Sequence, residues 1–249
     1  MAKSLEGKVV IVTGASSGIG EATALAVAEQ GAKVAIVARR GDRLQSLAQR
    51  IQEQGGTALT VVADVADEAQ VQTMVNHVKE QLGRIDVLVN NAGVMLLGMI
   101  DGANTEDWRR MIDINVLGLL YATHKVLPIM KQQNSGHIVN ISSVAGRTAR
   151  VGSGVYNVTK WGVGAFSESL RQEVYKNNIR VTVIEPGAVV SELMEHITDE
   201  EVKQRQIQWF QGLTPLESED IAASIVYAIT QPDRVNVNEI LIRPTEQER

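Results

Sequence analysis

The chain has 249 residues, 44% of them hydrophobic, and its 24 Lys and Arg residues against 29 Asp and Glu residues give a net charge of −5. This length supplies a full hydrophobic core, and charges without long single-sign runs argue against nucleic-acid or membrane-surface binding. The absence of cysteine excludes disulfides, thiolate metal sites and a cysteine nucleophile, and the four scattered histidines argue against a metal centre.

The start of the chain, MAKSLEGKVVIVTG, passes from a short polar lead into a short apolar run and lacks the pattern of a signal peptide. No apolar stretch in the sequence reaches the roughly 18 residues that a membrane-spanning helix needs. We therefore expect a cytoplasmic protein with no membrane partner.

Short apolar, β-branched runs alternate with longer amphipathic segments. Because each run is nearly all apolar, we expect parallel strands that are buried on both faces. The seven predicted strands are 8–13, 33–38, 57–63, 85–90, 137–142, 180–185 and 239–244. Helical periodicity is present between them in 18–30, 67–82, 104–131, 155–177 and 217–230. The pattern predicts an α/β fold with a doubly wound, seven-stranded parallel sheet and helices on both faces.

One segment departs from this alternation. Residues 188–216 are long, amphipathic and late in the chain, where we expect a mobile lid over a site. No repeat, low-complexity tract or linker is present elsewhere, so we expect a single domain over residues 1–249.

A glycine-rich turn, TGASSGIG, directly follows the first predicted strand and precedes a helix-like segment. Its glycines are Gly14, Gly18 and Gly20, a GxxxGxG spacing. Glycines allow a backbone to approach a pyrophosphate closely, and a helix amino terminus offers it free N–H groups. Strand, glycine turn and helix in this order are typical of a dinucleotide-binding Rossmann fold, with a purely structural turn as the alternative.

The end of the second predicted strand, VARRGDR, indicates which dinucleotide is bound. NAD-binding sites of this kind usually carry an acidic residue here, and this chain has Ala38 instead. Arg39 and Arg40 follow, and a guanidinium binds a 2′-phosphate through paired, charge-assisted hydrogen bonds. We therefore predict the cofactor NADP(H), preferred over NAD(H). The alternatives are two solvated arginines, or a preference weakened by nearby Asp42.

Seven short motifs occur in the order and at the spacing of one protein family. They are TGASSGIG (13–20), ADV (63–65), NNAG (90–93), IN (114–115), ISS (141–143), YNVTK (156–160) and EPG (185–187). On these motifs the chain resembles the classical short-chain dehydrogenase/reductase family over essentially its whole length. Together with the NADP prediction, the resemblance implies a carbonyl reductase or alcohol dehydrogenase that transfers a hydride between the nicotinamide and an aldehyde or ketone.

The resemblance also assigns cofactor contacts. It implies that Asp64 and Val65 contact the adenine and that Lys160 holds the nicotinamide ribose. Ser191 stands where most family members have a threonine, and it keeps the hydroxyl that contacts the nicotinamide carboxamide. The predicted cofactor-binding residues are Gly14, Ser16, Ser17, Gly18, Ile19, Gly20, Arg39, Arg40, Asp64, Val65, Asn91, Ala92, Gly93, Tyr156, Lys160, Pro186, Gly187, Val189 and Ser191.

Four residues carry the implied catalysis. Tyr156 and Lys160 are four residues apart and so project from one face of the predicted helix. By resemblance Tyr156 is the general acid that protonates the substrate carbonyl oxygen, and we expect the Lys160 charge to lower its pKa from about 10. Ser143 resembles the family serine that orients and stabilises this oxygen. Asn115 resembles the asparagine that holds a water linking Lys160 to solvent.

The substrate pocket is expected to lie between the residues after NNAG, the stretch after Ser143 and residues 188–212. The predicted substrate contacts are Met95, Leu97, Val144 and Val151. They indicate a largely apolar pocket, with a core cluster as the alternative. Glu192, Glu195 and His196 are expected to be solvated lid residues, with a position facing the pocket as the alternative. Segments such as NNAGVMLLG and VIEPGAVVSELMEHIT resemble the clavulanate dehydrogenase (clavaldehyde reductase) group of the family.

Family members usually form tetramers through two long helices, here 104–131 and 155–177, and the last strand. Both helices carry apolar residues beyond one narrow stripe, so we expect a homotetramer. The alternative functions are a non-catalytic NADP-binding sensor or scaffold, a dehydrogenase that oxidises alcohols in the cell, and a halohydrin-dehalogenase-like lyase. The presence of Tyr156 and Lys160 argues against a sensor, and Lys160 with the glycine turn argues against the lyase.

Overall fold

The computed structural model describes residues 4–248, and within them seven strands form one sheet in which all neighbouring strands are parallel. The strands are β1 (Val9–Thr13), β2 (Lys33–Ala38), β3 (Thr57–Val62), β4 (Val87–Asn90), β5 (Gly136–Ile141), β6 (Ile179–Pro186) and β7 (Glu239–Ile242). Their order across the sheet is β3-β2-β1-β4-β5-β6-β7. This order confirms the predicted doubly wound Rossmann-type sheet.

Helices cover both faces of the sheet. They are α1 (Gly18–Glu29), α2 (Gly41–Glu53), α3 (Glu68–Leu82), α4 (Thr105–Ile112), α5 (Gly118–Gln133), α6 (Gly154–Val174), α7 (Glu200–Gln211) and α8 (Ser218–Ile229). Side chains alternate along a strand: in β1, Val9 and Ile11 join one core cluster and Val10 and Val12 the other. The α2 helix is not among the helical segments predicted above.

The expectation that every strand is buried on both faces is wrong for the two strands at the edges of the sheet. In β3, Val62 is 64% exposed, and in β7, Leu241 is 39% exposed. An edge strand has a neighbouring strand on one side only, so part of it stays open to solvent. The inner strands β1, β4 and β5 are buried throughout.

The strand order reverses between β1 and β4, because the chain first builds outward through β2 and β3 and then returns to the other side of β1. Ligands in such sheets bind in the crevice outside the carboxyl ends of the strands at this point. The glycine turn follows β1 there, and NNAG follows β4. Among the described residues no helix combines the length and the apolar character needed to cross a membrane.

A buried histidine lies at the opposite end of β5. His137 Nε2 is 2.7 Å from Thr182 Oγ1, which itself donates to the Val237 carbonyl at 2.6 Å, so Nε2 carries the proton. Its Nδ1 has no hydrogen-bond partner among the described residues. Burial, and secondarily the charge of Arg180, lower the pKa of His137 well below 6.5.

This histidine makes stability depend on pH. Because the folded pKa lies below the unfolded value, the contribution of His137 is complete above about pH 6.5 and is lost as the pH falls below it. We expect the wild-type protein to lose up to about 1.4 kcal/mol per pH unit through this group, and His137→Leu to have a shallower slope between pH 6.5 and 5. Urea unfolding at several pH values measures both slopes, and equal slopes would contradict the assignment.

Candidate active site

A cavity of about 560 Å³ lies at the carboxyl ends of the strands. It is bounded by the loops after β1, β2, β4 and β5 and by residues from the segment 188–216. All but two of the residues predicted to bind cofactor or substrate or to act in catalysis line it, the exceptions being Gly20 and Asn115. The lining includes the four predicted substrate contacts, Met95, Leu97, Val144 and Val151. Sequence motifs far apart in the chain therefore share one site.

The glycine turn fits closely against the turn after β4. Gly14 has φ +67°, and a Cβ there would lie 2.8 Å from the Ala92 Cα. A Cβ on Gly20 would lie 2.3 Å from the Gly14 carbonyl oxygen and 2.5 Å from Asn91 Nδ2. Asn91 Nδ2 donates to the Thr13 carbonyl at 2.9 Å and so joins the two turns. Gly20 therefore allows close packing behind the cavity rather than lining it.

Tyr156 and Lys160 both reach the cavity from the first two turns of α6, and both are buried. Lys160 Nζ donates to the Ile141 carbonyl at 2.9 Å and lies 5.7 Å from the centre of the Tyr156 ring. Ser143 Oγ, at the end of β5, donates to the Pro186 carbonyl at 3.4 Å and accepts from the Ala145 N–H at 3.1 Å. Two hydroxyls and one ammonium thus face the same space.

The pKa values at this end of the site differ from the sequence prediction. Burial raises the pKa of Tyr156 to about 12, although a hydrogen bond with Ser143 partly opposes this shift. Burial also lowers the pKa of Lys160 to about 8. The net shift of the Tyr156 pKa is therefore upward, opposite to the lowering expected from the Lys160 charge. The reason is that burial raises the pKa of the phenol by more than the Ser143 hydrogen bond lowers it.

Asn115 lies behind the cavity wall, in a π-helical turn, Asp113–Leu117, that joins α4 to α5. Its Oδ1 accepts from the Val94 N–H at 2.8 Å, and its Nδ2 donates to the Val94 carbonyl at 2.9 Å and to Thr159 Oγ1 at 3.2 Å. It would lie 3.3 Å from a Cβ on Gly93. Asn115 thus fastens the loop after β4 to α6, and its role toward a bound water stays a prediction.

The two arginines after β2 have different surroundings. Arg39 is 57% exposed and lies 3.8 Å from a carboxylate oxygen of Asp64. Arg40 donates through Nε and Nη2 to Ser16 Oγ at 3.1 and 2.9 Å, and through Nη2 to Ser17 Oγ at 2.8 Å. Arg40 Nη1 also donates to Glu192 at 2.8 Å. Arg40 thus lines the cavity while bonded to the glycine turn and to Glu192, and its role toward a 2′-phosphate stays a prediction.

The segment 188–216 contains a short 3-10 helix, Glu192–His196, and α7. Glu192 and His196 line the cavity, which is the alternative given above, although His196 is also exposed to solvent, and Glu195 is exposed and not among the lining residues. Trp209 and Phe210 of α7 also line it, and neither is among the predicted substrate contacts. Their place in an amphipathic segment next to a predicted site was the only signal for them.

The cavity fits a dinucleotide. Glycines stand where a side chain would obstruct the turn, the first turn of α1 lines the cavity, and the small Ala38 ends β2 beside the Arg39 guanidinium. These are the features that bind a pyrophosphate and a ribose phosphate. No group of three or more His, Cys, Asp or Glu residues that suits a metal ion occurs in the described part of the chain.

The short chain dehydrogenase family model matches residues 8–202. This chain belongs to the classical short-chain dehydrogenase/reductase family. An uncharacterized oxidoreductase of Staphylococcus saprophyticus is 42% identical to it over 247 residues, which cover 98% of this chain and 98% of that protein. This short-chain dehydrogenase/reductase is therefore an oxidoreductase.

Solved structures agree with the fold. The closed form of a serine dehydrogenase complexed with NADP+ superposes with a TM-score of 0.89 at 36% identity, covering 97% of this chain and 96% of that one. A metagenomic short-chain oxidoreductase in complex with NADP superposes with a TM-score of 0.83 at 30% identity, covering 98% of this chain and 100% of that one. The likeness to the clavulanate dehydrogenase group stays a prediction.

Proposed function

We propose that this short-chain dehydrogenase/reductase is an NADP(H)-dependent carbonyl reductase or alcohol dehydrogenase acting on an aldehyde or ketone. The observation that carries the proposal is the convergence of Ser143, Tyr156 and Lys160 on one cavity that the glycine turn also lines. Carbonyl reduction needs a hydroxyl that donates a proton, a second hydroxyl that holds the carbonyl oxygen, and a buried cation.

In this proposal the bound nicotinamide supplies the hydride that the carbonyl carbon receives. The Tyr156 hydroxyl donates the proton to the carbonyl oxygen, and the Ser143 hydroxyl donates a hydrogen bond to the same oxygen. With a pKa of about 12 the phenol is protonated at cellular pH and so holds a proton to donate. Lys160 favours the phenolate as the proton leaves, because an ammonium stabilises a nearby anion. Asn115 keeps the loop after β4 against α6 during these steps.

NADP(H) is the proposed cofactor, preferred over NAD(H). Arg39 is exposed at the end of β2, where a 2′-phosphate lies in dinucleotide sites of this type, and Ala38 offers no carboxylate to bind free ribose hydroxyls. The two solved relatives described above were complexed with NADP+ and NADP, which supports the same choice.

Arg39→Ala is expected to lower kcat/KM for NADPH by about 10- to 100-fold, the worth of one or two hydrogen bonds to a charged group. The value for NADH is expected to stay within about 2-fold, since NADH has no 2′-phosphate. Initial rates of absorbance loss at the reduced-nicotinamide band, with both cofactors, measure this. Equal losses for the two cofactors, or a wild-type preference for NADH, would contradict the proposed cofactor.

The substrate is proposed to be a largely apolar carbonyl compound. Met95, Leu97, Val144 and Val151 line the cavity, and Trp209 and Phe210 of α7 extend its apolar surface. A panel of aliphatic and aromatic aldehydes, ketones and keto esters tests this, and turnover confined to small charged carbonyls would contradict it. Tight NADPH binding without turnover of any carbonyl would favour the sensor reading instead.

We further propose a cytoplasmic homotetramer of single-domain subunits over residues 1–249, with the segment 188–216 as a substrate lid. Val158 and Trp161 of α6 are 63% and 53% exposed, and such an apolar helix face is expected to be covered in an assembly. Light scattering at micromolar concentration tests the assembly, and a monomer mass would contradict it.

A further inference from the structure

Glu192, at the start of the 3-10 helix in segment 188–216, contacts the arginines that follow β2. Its carboxylate accepts hydrogen bonds from Arg40 Nη1, at 2.8 Å, and from Arg43 Nη1 on α2. Arg40 in turn donates to Ser16 and Ser17 of the glycine turn. We call the three residues Glu192, Arg40 and Arg43 the arginine clamp. It connects β2, α2, the glycine turn and segment 188–216 at one point.

The clamp sets one carboxylate between two guanidinium groups. The hydrogen bond from Arg43 lowers the pKa of Glu192 most; burial opposes it, and the hydrogen bond and charge of Arg40 lower the pKa further, to about 2. The three side chains remain between 31% and 45% exposed, so salt is expected to weaken the clamp. The Glu192 carboxylate is therefore ionised near neutral pH.

Glu192 lies where the clamp can fix the position of segment 188–216. Glu192 follows Ser191, whose Cβ lies 3.5 Å from the place of a Cβ on Gly18, so the start of the segment rests on the glycine turn. Leu193 and Met194, the next residues, pack against the apolar core on the α6 side. The chain then continues to α7, whose aromatic residues line the cavity. A contact that fixes Glu192 therefore also fixes the stretch of chain that leads into α7.

Arg39 stands apart from this arrangement. It is more exposed than Arg40 and Arg43, and its guanidinium lies 3.8 Å from Asp64 rather than on the segment. The donors of Arg40 are largely engaged by Ser16, Ser17 and Glu192, whereas those of Arg39 face solvent. The two adjacent arginines thus have different partners although they follow one another in sequence.

We propose that Glu192 is a positioning residue that holds segment 188–216 over the cavity through Arg40 and Arg43, and that Arg39 alone is left to bind the cofactor's 2′-phosphate. The part concerning Arg39 rests on the proposed function. The clamp itself is a property of the protein without cofactor. Glu192 acts on the reaction through the lid and contacts neither of the reacting atoms.

Hydrogen–deuterium exchange of the ligand-free enzyme tests the clamp without any reference to catalysis. Glu192→Gln is expected to raise exchange in residues 192–211 by about 2- to 10-fold, Arg43→Gln to raise it less because Arg40 still holds Glu192, and the double variant to rise no further than Glu192→Gln alone. Arg50→Gln is the matched control, because Arg50 on the same helix pairs with Glu21 of α1 outside the cavity. Unchanged exchange in Glu192→Gln, or a fully additive double variant, would overturn the clamp.

Steady-state kinetics separate the clamp from the phosphate contact. Glu192→Gln and Arg40→Ala are expected to raise KM for NADPH and NADH by the same factor, about 2- to 10-fold, with a smaller change in kcat. Arg39→Ala is expected to affect NADPH alone. Tighter NADPH binding in Glu192→Gln would mean that the carboxylate competes with the 2′-phosphate, and would overturn the proposal. An enzyme with no turnover would refute the proposed function and leave the exchange test standing.

Discussion

Tyr156→Phe is expected to lower kcat for carbonyl reduction by about 10²- to 10⁴-fold, the usual contribution of a general acid. The phenylalanine ring fills the same buried position at the start of α6, so the cavity keeps its shape. Only the hydroxyl that bonds with Ser143, the proposed proton donor, is removed. Because the glycine turn and the arginines after β2 are untouched, the Kd for NADPH is expected to change by less than about 2-fold.

Single-turnover kinetics and NADPH fluorescence titration measure the two quantities separately. Tyr175→Phe is the matched control, since Tyr175 is 59% exposed beyond the end of α6 and does not line the cavity. The control is expected to retain wild-type kcat. Retention of most activity in Tyr156→Phe would refute its role as the general acid, whereas a large loss of NADPH affinity would place the residue in cofactor binding instead.

Much of the site was predictable because its residues lie at positions that any parallel sheet brings together. Gly14 follows β1, Asn91 follows β4, and Ser143 follows β5, and the carboxyl ends of parallel strands meet at one edge. Tyr156 and Lys160 need only a helix to face the same way. Motifs tied to strand ends and to helical spacing therefore locate a site without any knowledge of tertiary contacts.

The remaining features depend on contacts that sequence spacing does not encode. Glu192 meets Arg40 across 152 positions of sequence, and a charged residue in an amphipathic segment is normally solvated. The raised pKa of Tyr156 depends on how completely the surrounding elements exclude water. The exposure of β3 depends on its place at the edge of the sheet, which its apolar sequence does not reveal.

Lys160→Met is expected to abolish useful turnover and at the same time to stabilise the ligand-free protein. Burial lowers the pKa of Lys160 from 10.5 to about 8, and each pKa unit corresponds to about 1.4 kcal/mol, so the buried charge costs the fold roughly 3 kcal/mol. Methionine removes this cost but leaves the Ile141 carbonyl without its donor, which offsets about 1–2 kcal/mol. A net gain of about 1–2 kcal/mol remains.

The pH dependence distinguishes a removed charge from better packing. Since the folded pKa lies below the unfolded value, the cost of the lysine is complete below about pH 8 and disappears as the pH rises from 8 to 10.5. The stability difference between Lys160→Met and wild type, measured by urea unfolding without cofactor, is therefore expected to be constant up to pH 8 and to shrink above it. Lys176→Met, at an exposed lysine outside the cavity, is the control and is expected to show no such difference.

A gain in stability of Lys160→Met that persists unchanged at pH 10 would mean that methionine simply packs better. A destabilised variant would mean that the Ile141 hydrogen bond outweighs the buried charge. If stability rises while turnover falls, the enzyme keeps a costly buried cation beside Tyr156 for the sake of its chemistry.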